Sequence, residues 1–302
     1  MHDSVRTSAA MPRLGVVGAP ARYRERMLAI AVWLAAICVM GFFLWIVFDI
    51  VSHGLAKISW SFLSEAPKGS GRKGGISTIL VSTLLILGVT IAVALPLGLG
   101  VAVWLSEFAR RSGRGGRAAT TIRLSLDVLA GIPSIVFGLF GNAFFCVFLG
   151  LGFSILSGGL TLACMVLPII IRTTEAGLSQ VPQDWRQGAA ALGLTKASAL
   201  RYVLLPAAAP AIMAGLLLGI GRAAAETAAL IFTSGYVDRM PESLNDSGRS
   251  LAVHIYDLSM NVTGGDQAAY ASALVLIALL IVINTLAMML ANRFLHARIQ
   301  HR

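Results

Sequence analysis

Charged residues are scarce in this 302-residue chain. Asp, Glu, Lys and Arg together make up 13% of it, whereas soluble domains carry about 25%. Hydrophobic residues make up 57%, and the mean hydropathy is +0.80. This balance is typical of a polytopic membrane protein surrounded by lipid, in which spans of about 20 apolar residues cross a hydrocarbon core of about 30 Å.

Residues for catalysis and metal binding are also sparse. The three cysteines, Cys38, Cys146 and Cys164, lie far apart in apolar stretches without the spacing of a metal site, so we interpret them as small hydrophobic residues. None of the five histidines falls inside an apolar run, which leaves an intramembrane serine hydrolase without its usual base. Asp127 is the one aspartate well inside such a run, so a paired-aspartate mechanism lacks its second carboxylate. The sequence therefore predicts a protein that is not an enzyme and holds no metal or cofactor.

The chain contains no nucleotide-binding P-loop. That loop requires a Lys followed by Ser or Thr, whereas the four lysines here are followed by Ile, Gly, Gly and Ala. If the protein pumps a solute, a separate ATPase must drive it.

The apolar residues form six runs. We predict an all-α integral membrane protein with six transmembrane helices at residues 28–50, 77–105, 125–149, 153–172, 207–234 and 268–292. Only glycines divide the third run from the fourth. The chain must still fold back between them, because a continuous helix of 48 residues would measure about 72 Å, more than twice the thickness of the hydrocarbon core. We expect the chain to fold back at Gly150, Gly152, Gly158 and Gly159.

The net charge of +10 follows this topology. Most of the 24 Lys and Arg residues lie in the two tails and in the loops of residues 106–123 and 173–206. The alternate loops hold only Lys57, Lys68, Arg72, Lys73, Arg239 and Arg249. The excess predicts a multi-pass protein of the plasma membrane with both termini in the cytoplasm. Since the basic residues do not gather on one face, nucleic acid is not an expected partner.

The 173–206 loop has the pattern of a helical hairpin. Pro182 suits the first turn of a helix, and Gly193 is a natural C-terminal stop. Thr195 can cap a second short helix that ends before Pro206. Trp185 supplies a large amphipathic ring for a partner's pocket. The alternative is that the hairpin simply lies on the membrane surface.

This hairpin resembles the EAA loop of type I ABC importer permeases, whose pattern is E-A-A-x3-G-x9-I-x-L-P. Gln187-Gly188-Ala189, Gly193 and Val203-x-Leu205-Pro206 match its spacing, with Gln187 and Gly188 in place of the usual Glu and Ala. The resemblance implies a cytoplasmic coupling helix that docks into an ATPase by shape. The matching positions give Gln187, Ala189, Gly193, Leu205 and Pro206 as coupling residues, and Trp185 joins them as the aromatic anchor.

Further segments resemble the permeases of phosphate importers. They are residues 131–138, 221–227 and 250–256, and the run from Glu226 to Ser234 is most similar to the A-type subunit. The resemblance implies ATP-driven phosphate uptake by alternating access, with a second, C-type permease, two copies of an ATPase and an external phosphate-binding protein. It places the permease domain at 75–292, an accessory anchor at 28–50 and cytoplasmic tails at 1–27 and 293–302. The alternatives are a permease for another oxyanion (molybdate, tungstate or phosphonate), a passive anion channel and a non-transporting scaffold.

Charges inside the predicted spans are candidates for the substrate pathway. Arg222 and Glu226 are four residues apart, so a continuous helix would place them on one face as an ion pair. One interpretation is structural, because such a pair helps the span to insert. The other is that Arg222 is a fixed cation for passing phosphate, held by Glu226 when the pathway is empty, because the planar guanidinium matches phosphate oxygens. Thr227 and Ser134 are then the hydrogen-bond donors. A second local ion pair is expected between Arg123 and Asp127.

Overall fold

The computed structural model describes the backbone of residues 19–109 and 113–299, and the side chains within 24–109 and 116–289. Most of the predicted tail of residues 1–27 therefore lies outside the described residues. The chain divides into two units, residues 1–49 and residues 50–302.

Helix α1 runs from Ala19 to Gly54, so most of it belongs to the first unit. The helical stretch from Arg24 to Lys57, which includes the 3-10 turn after α1, is 34 residues long and apolar enough to cross a membrane. Pro20 occupies its first turn, where the missing N–H has no helical partner in any case. The helix covers the predicted first span, 28–50, and is longer at both ends.

The second unit is helical apart from one small hairpin. A 3-10 turn (Leu55–Lys57) and α2 (Trp60–Ser64) lead into two antiparallel strands, β1 (Pro67–Lys68) and β2 (Lys73–Gly74). The helices that follow are α3 (Ser77–Val103, extended by a π turn at Trp104–Phe108), α4 (Gly113–Gly131), α5 (Ser134–Gly141, extended by a π turn at Asn142–Phe148) and α6 (Ile155–Gln180). The remainder are α7 (Gln183–Ala191), α8 (Lys196–Ala199), a π turn (Leu200–Leu204), α9 (Leu205–Ala224), α10 (Ala228–Ile231), α11 (Leu251–Met260) and α12 (Asp266–Ile299).

Five helices among the described residues are long and apolar enough to cross a membrane, and a bent pair of helices makes six. The pair is Gly116–Gly131 with Ser134–Phe148, and its bend is 103°. Pro133 causes the bend, since it has no N–H for the helix and disfavours helical backbone at Ile132. The predicted number of spans is confirmed, and the third span, predicted over 125–149, is this bent pair.

The reversal between the third and fourth spans uses two of the four predicted glycines. Gly150 and Gly152 have φ angles of +70° and +63°, which glycine adopts without strain. Gly158 and Gly159 lie instead inside α6. A Cβ atom at Gly159 would lie 2.5 Å from Cγ1 of Val89, so this glycine permits close helix packing rather than a turn.

Helix α6 is the centre of the second unit. It runs parallel to α3, since Gly159 lies against Val89 and Gly98 lies against Ile170. It runs antiparallel to α9, where Gly177 faces Ala211 and Gly215 faces Thr173. Small residues at these crossings let the helices approach closely, which is the usual basis of helix association in lipid. The central buried cluster joins these three helices through Ile86, Leu87, Ala94, Val166, Ile170, Ala223 and Ala224.

The fifth span is displaced from its predicted position. Its membrane-spanning rod extends from Lys196 to Ala224, whereas the predicted span covered 207–234. The second hairpin helix, α8, ends at Ala199, before Pro206 as predicted. It is not a separate element, however, because the π turn continues it into α9, and Pro206 lies in the first turn of α9. The wider hydrogen bonding of a π turn absorbs the bond that proline cannot donate, so the helix continues.

Candidate functional site

The end of α7 confirms the predicted stop at Gly193. This glycine has φ +71°. Its N–H donates to the carbonyl of Ala190, and the N–H of Leu194 donates to the carbonyl of Ala189, each at 3.0 Å. These two bonds form a Schellman motif, in which a left-handed glycine satisfies the last carbonyls of a helix.

Each of the two hairpin helices, α7 and α8, begins after a capping residue, and the position of Pro182 differs by one residue from the prediction. Pro182 does not lie inside the first turn of α7 but directly precedes it as the N-cap. Thr195 is the N-cap of α8, and its Oγ1 accepts from the backbone N–H of Ser198 at 3.2 Å. The hairpin is therefore a defined structure with local bonds at both turns.

The predicted coupling residues lie at three levels of the hairpin. Trp185 is 52% exposed, and Gln187 and Gly193 are exposed as well. Ala189 is buried on the inner face of α7. The half-buried Leu205 and Pro206 lie at the base, where Leu205 packs against a buried cluster of Leu178, Val181, Leu204 and Ala208. The hairpin thus offers an aromatic ring outward while its base is packed into the bundle.

Arg186 holds this hairpin to two other helices, and the sequence pattern did not reveal it. Its guanidinium binds Glu107 at the end of α3 through two bonds of 2.7 and 3.3 Å. It also donates to the carbonyl oxygens of Leu178 and Val181 at the end of α6, at 2.7 and 2.6 Å. Glu107 precedes Arg186 by 79 residues, so no local spacing could have paired them.

Arg222 lies at the depth of the bundle's centre. It is in the last turn of α9, and its neighbours Ala223 and Ala224 belong to the same buried cluster as Leu87 and Ala94, near the middle of α3. The Arg222 side chain itself is exposed on this chain. Within the described part of the chain it has no hydrogen-bond or ion-pair partner, so its charge is available to another molecule.

The predicted ion pair between Arg222 and Glu226 is wrong. Both residues are described, and their side chains do not bind each other. The reason is that α9 ends at Ala224, so the two residues do not share a helical face. Glu226 is half-buried in the break, and its Oε1 accepts from the backbone N–H of Ala229 in the first turn of α10, at 3.4 Å.

Ser134 and Thr227 lie at matching ends of two packed helices. Ser134 is the first residue of α5, Thr227 immediately precedes α10, and both are half-buried. A Cβ atom at Gly138 would lie 2.9 Å from Cα of Ala229, and one at Gly141 would lie 2.8 Å from Cγ2 of Thr233. The two helices are therefore parallel and their N-terminal ends lie side by side, which brings these two hydroxyls to the same end of the pair.

The ion pair expected between Arg123 and Asp127 is also wrong, because each residue binds a partner on α6 instead. Arg123 binds Glu175 with an Nη2 to Oε1 distance of 2.6 Å, and Asp127 binds Arg172. Arg172 also donates to the backbone carbonyl of Arg123 at 2.9 Å. These contacts tie α4 to α6, because partners on a neighbouring helix outcompete the local pair.

A further ion pair, largely buried, lies in the segment between α10 and α12. Arg249 binds Asp257 at 3.1 Å and donates to the carbonyl of Tyr236 at 2.9 Å. His254 is fully buried, with its Nδ1 3.4 Å from the Arg249 guanidinium. Burial, followed by the charge of Arg249, lowers the pKa of His254 to about 4. The imidazole is therefore neutral at neutral pH.

Two kinds of comparison place this arrangement among known proteins. Residues 94–300 match the family model of the binding-protein-dependent transport system inner membrane component. The phosphate transport system permease protein PstA 2 of Mycobacterium bovis is 33% identical over 245 residues, covering 80% of this chain and 79% of the relative. The probable ABC transporter permease protein YqgI of Bacillus subtilis is 31% identical over 248 residues, covering 77% and 83%.

Solved structures show the same fold. A bacterial ABC transporter that imports the acidic polysaccharide alginate aligns with a TM-score of 0.60 at 15% identity, over 89% of this chain and 96% of the other. The inward-facing methionine transporter MetNI aligns with a TM-score of 0.52 at 18% identity, over 73% and 95%. The predicted type I ABC importer fold is confirmed. The chain belongs to the family of binding-protein-dependent transport system inner membrane components, and is a multi-pass permease of an ABC transporter.

Proposed function

We propose that this chain is a permease subunit of an ATP-driven phosphate importer. It forms the translocation pathway with a second, C-type permease, and two copies of an ATPase and an external phosphate-binding protein complete the assembly. The observation that carries this proposal is Arg222, whose guanidinium lies at the depth of the central cluster and has no partner among the described residues. The phosphate permeases among its relatives support the same substrate.

The position of Arg222 is costly unless an anion uses it. An Arg at the centre of a membrane helix is unfavourable by about 2.5 to 3.5 kcal/mol on insertion scales, and such residues usually face a cavity or a partner. Glu226 does not neutralise it, because that carboxylate caps α10. Phosphate supplies the missing negative charge, and its oxygens fit the two parallel N–H groups of a guanidinium.

Two hydroxyl groups complete the proposed pathway. Ser134 and Thr227 lie at the same end of the α5–α10 pair, and neither side chain caps its helix. Both hydroxyls can donate to phosphate oxygens that the guanidinium leaves free. We assign Arg222 the charge recognition, Ser134 and Thr227 the hydrogen bonds, and Glu226 the fixing of the break that separates α9 from α10.

Coupling is assigned to the hairpin. Trp185 and Gln187, exposed on α7, fit a cleft of the ATPase, and closure of the ATPase pair moves α7 and opens the pathway outward. In this arrangement residues 75–292 form the permease domain, residues 28–50 form an anchor, and the tails of residues 1–27 and 293–302 are cytoplasmic.

Uptake in proteoliposomes tests the substrate and the energy source together. The chain is reconstituted with its second permease and ATPase, and labelled phosphate is supplied with the binding protein outside. We expect uptake that requires ATP inside the vesicle and that excess unlabelled phosphate suppresses. Suppression by molybdate, tungstate or phosphonate at equal concentration would assign the other oxyanion, and uptake without ATP would establish a passive channel.

A further inference from the structure

An open space separates the hairpin from the end of α3. A cavity of about 180 Å³ lies there, and its walls include Glu107 and Phe108 beyond α3, Arg186 and Ala190 of α7, and Leu200 of the π turn. Apolar packing is therefore missing between α7 and this end of α3. Glu107 and Arg186 bridge the space with charge-assisted bonds instead.

The bridge uses one side chain to join three helices. Arg186 belongs to α7, its carboxylate partner belongs to the end of α3, and its two carbonyl acceptors belong to the end of α6. Arg186 and Glu107 are only 17% and 19% exposed, so both groups are largely removed from water. The guanidinium also meets the negative end of the α6 dipole, which favours a cation there.

Stability alone is a poor reason for such a bridge. A buried ion pair seldom contributes more than an apolar pair of the same volume, because both charges lose their hydration. Helices in contact through apolar side chains can shift past each other, whereas a bidentate bond between a guanidinium and a carboxylate fixes their relative orientation. The geometry of Arg186 therefore fixes the orientation of α7 relative to α3.

Among the described residues, this bridge is the direct polar contact between α3 and α7. The other contacts of α3, along α6 and from Val103 to the cluster of Leu178 and Val181, reach α7 only through the end of α6. Val181 and Pro182 join α6 directly to α7, and α8 continues through its π turn into α9, so these helices follow the hairpin through the backbone. Helix α3 carries Leu87 and Ala94, which pack in the cluster that contains Ala223, the neighbour of Arg222. A movement of α7 can therefore reach Leu87 and Ala94 through α3 if the contact between Arg186 and Glu107 transmits it.

We propose that Arg186 and Glu107 are positioning residues that make α3 move with α7 during the ATPase cycle. The proposal rests on the proposed function of α7 as the coupling helix. It extends that function because α3 then moves with α7, in addition to α6 and α9, which the backbone connects to the hairpin.

A distance measurement tests the bridge without any transported substrate. Spin labels are attached to Gln183→Cys at the start of α7 and Trp104→Cys at the end of α3, after replacement of Cys38, Cys146 and Cys164 by Ala. Both label positions are exposed. In the full transporter we expect one narrow distance distribution, unchanged between the nucleotide-free state and the state trapped with ATP and vanadate.

Removing either half of the bridge should uncouple the two labels. We expect Arg186→Gln and Glu107→Gln to broaden the distribution and to make it change on trapping, and Arg186→Lys to lie between them and the wild type. Arg201→Gln is the matched control, since Arg201 is exposed on the same hairpin and its guanidinium lies 5.7 Å from the centre of the Tyr202 ring. Wild-type distributions in both Gln variants would overturn the proposal.

A transport measurement separates this proposal from the proposed function. In the same vesicles we expect Arg186→Gln to lower phosphate moved per ATP hydrolysed by about tenfold, the size of a typical coupling free energy. An unchanged ratio in both Gln variants would overturn the bridge. A wild-type complex that moves no phosphate would overturn the proposed substrate, while the label distances would still decide the bridge.

Discussion

Arg186 and Arg222 carry the same guanidinium in opposite surroundings. Arg186 makes four hydrogen bonds, two to Glu107 and two to carbonyl groups at the end of α6. Arg222 makes none to the described residues, although the helix that carries it is in the centre of the bundle. A saturated arginine fixes one arrangement of helices, whereas an unsaturated one keeps its donors for a partner that comes and goes. The difference separates a mechanical joint from a binding site.

The strongest test of this difference is the loss of the free charge. We expect Arg222→Gln to lower the initial rate of phosphate uptake by about 10- to 100-fold, the range for hydrogen bonds to a charged group. Arg222→Lys keeps the charge but loses the planar fork, so its rate should be intermediate.

Uptake is compared at matched membrane levels, with Arg201→Gln as the control for loss of an exposed arginine. If Arg222→Gln is inserted normally and transports like the wild type, Arg222 is not the phosphate cation and the comparison between the two arginines fails.

The hairpin should be most sensitive to substitution at the turn that ends α7. Gly193 has φ +71°, where a β-branched side chain is strained by about 1 to 2 kcal/mol. We therefore expect Gly193→Val to distort the hairpin and to reduce co-purification of the ATPase and ATP-driven uptake together.

Gly188→Ala is the matched control. Gly188 lies inside α7, and a Cβ atom there would meet no other atom within 4 Å. Alanine should therefore preserve both activities and stabilise the helix by about 0.5 to 1 kcal/mol. Equal losses in the two variants would show that the left-handed backbone is not the cause.

Sequence reasoning succeeded where the determining signal is local. The stop at Gly193 and the cap at Thr195 depend on residues a few positions away. The hydrophobic runs predicted the number of spans, although the fifth span lies at 196–224 rather than at 207–234. The break after Ala224 was missed because the run continues apolar through Phe232, and length alone favours one helix.

Long-range charge pairing was missed for a different reason. Local spacing offered Arg123 with Asp127, but each found its partner on α6, in Glu175 and Arg172. The partner of Arg186 is 79 residues away. Side chains four residues apart compete with every charge that tertiary packing brings near, and one sequence carries no record of that competition.

A third arginine adds a pH-dependent case to the comparison. Arg249 is paired with Asp257 beside the buried His254, whose pKa is lowered to about 4. Unfolding returns this imidazole to its usual pKa near 6.5, so the unfolded chain binds the extra proton between these values. Stability is thus full above about pH 6.5 and falls as the pH drops towards 4, by at most about 3 kcal/mol.

Thermal unfolding of the purified protein between pH 4 and 8 measures this effect. His254→Gln should flatten the dependence in that window. An identical pH dependence in His254→Gln and the wild type would assign the acid sensitivity to other groups.

The smallest effect is expected at Glu226, and it sharpens the claim that Arg222 is free. Glu226 accepts a hydrogen bond from the N–H of Ala229, and a Gln at this position can accept the same bond through its amide oxygen. We therefore expect Glu226→Gln to change uptake by less than about twofold, whereas Glu226→Ala removes the cap and weakens the break by about 1 kcal/mol. A double-mutant cycle with Arg222→Gln should give a coupling free energy within about 0.5 kcal/mol of zero, as for residues that share no contact. A larger coupling would mean that the two charges meet during transport. Glu226 would then act as a competitor of phosphate for Arg222 rather than only as the cap of α10.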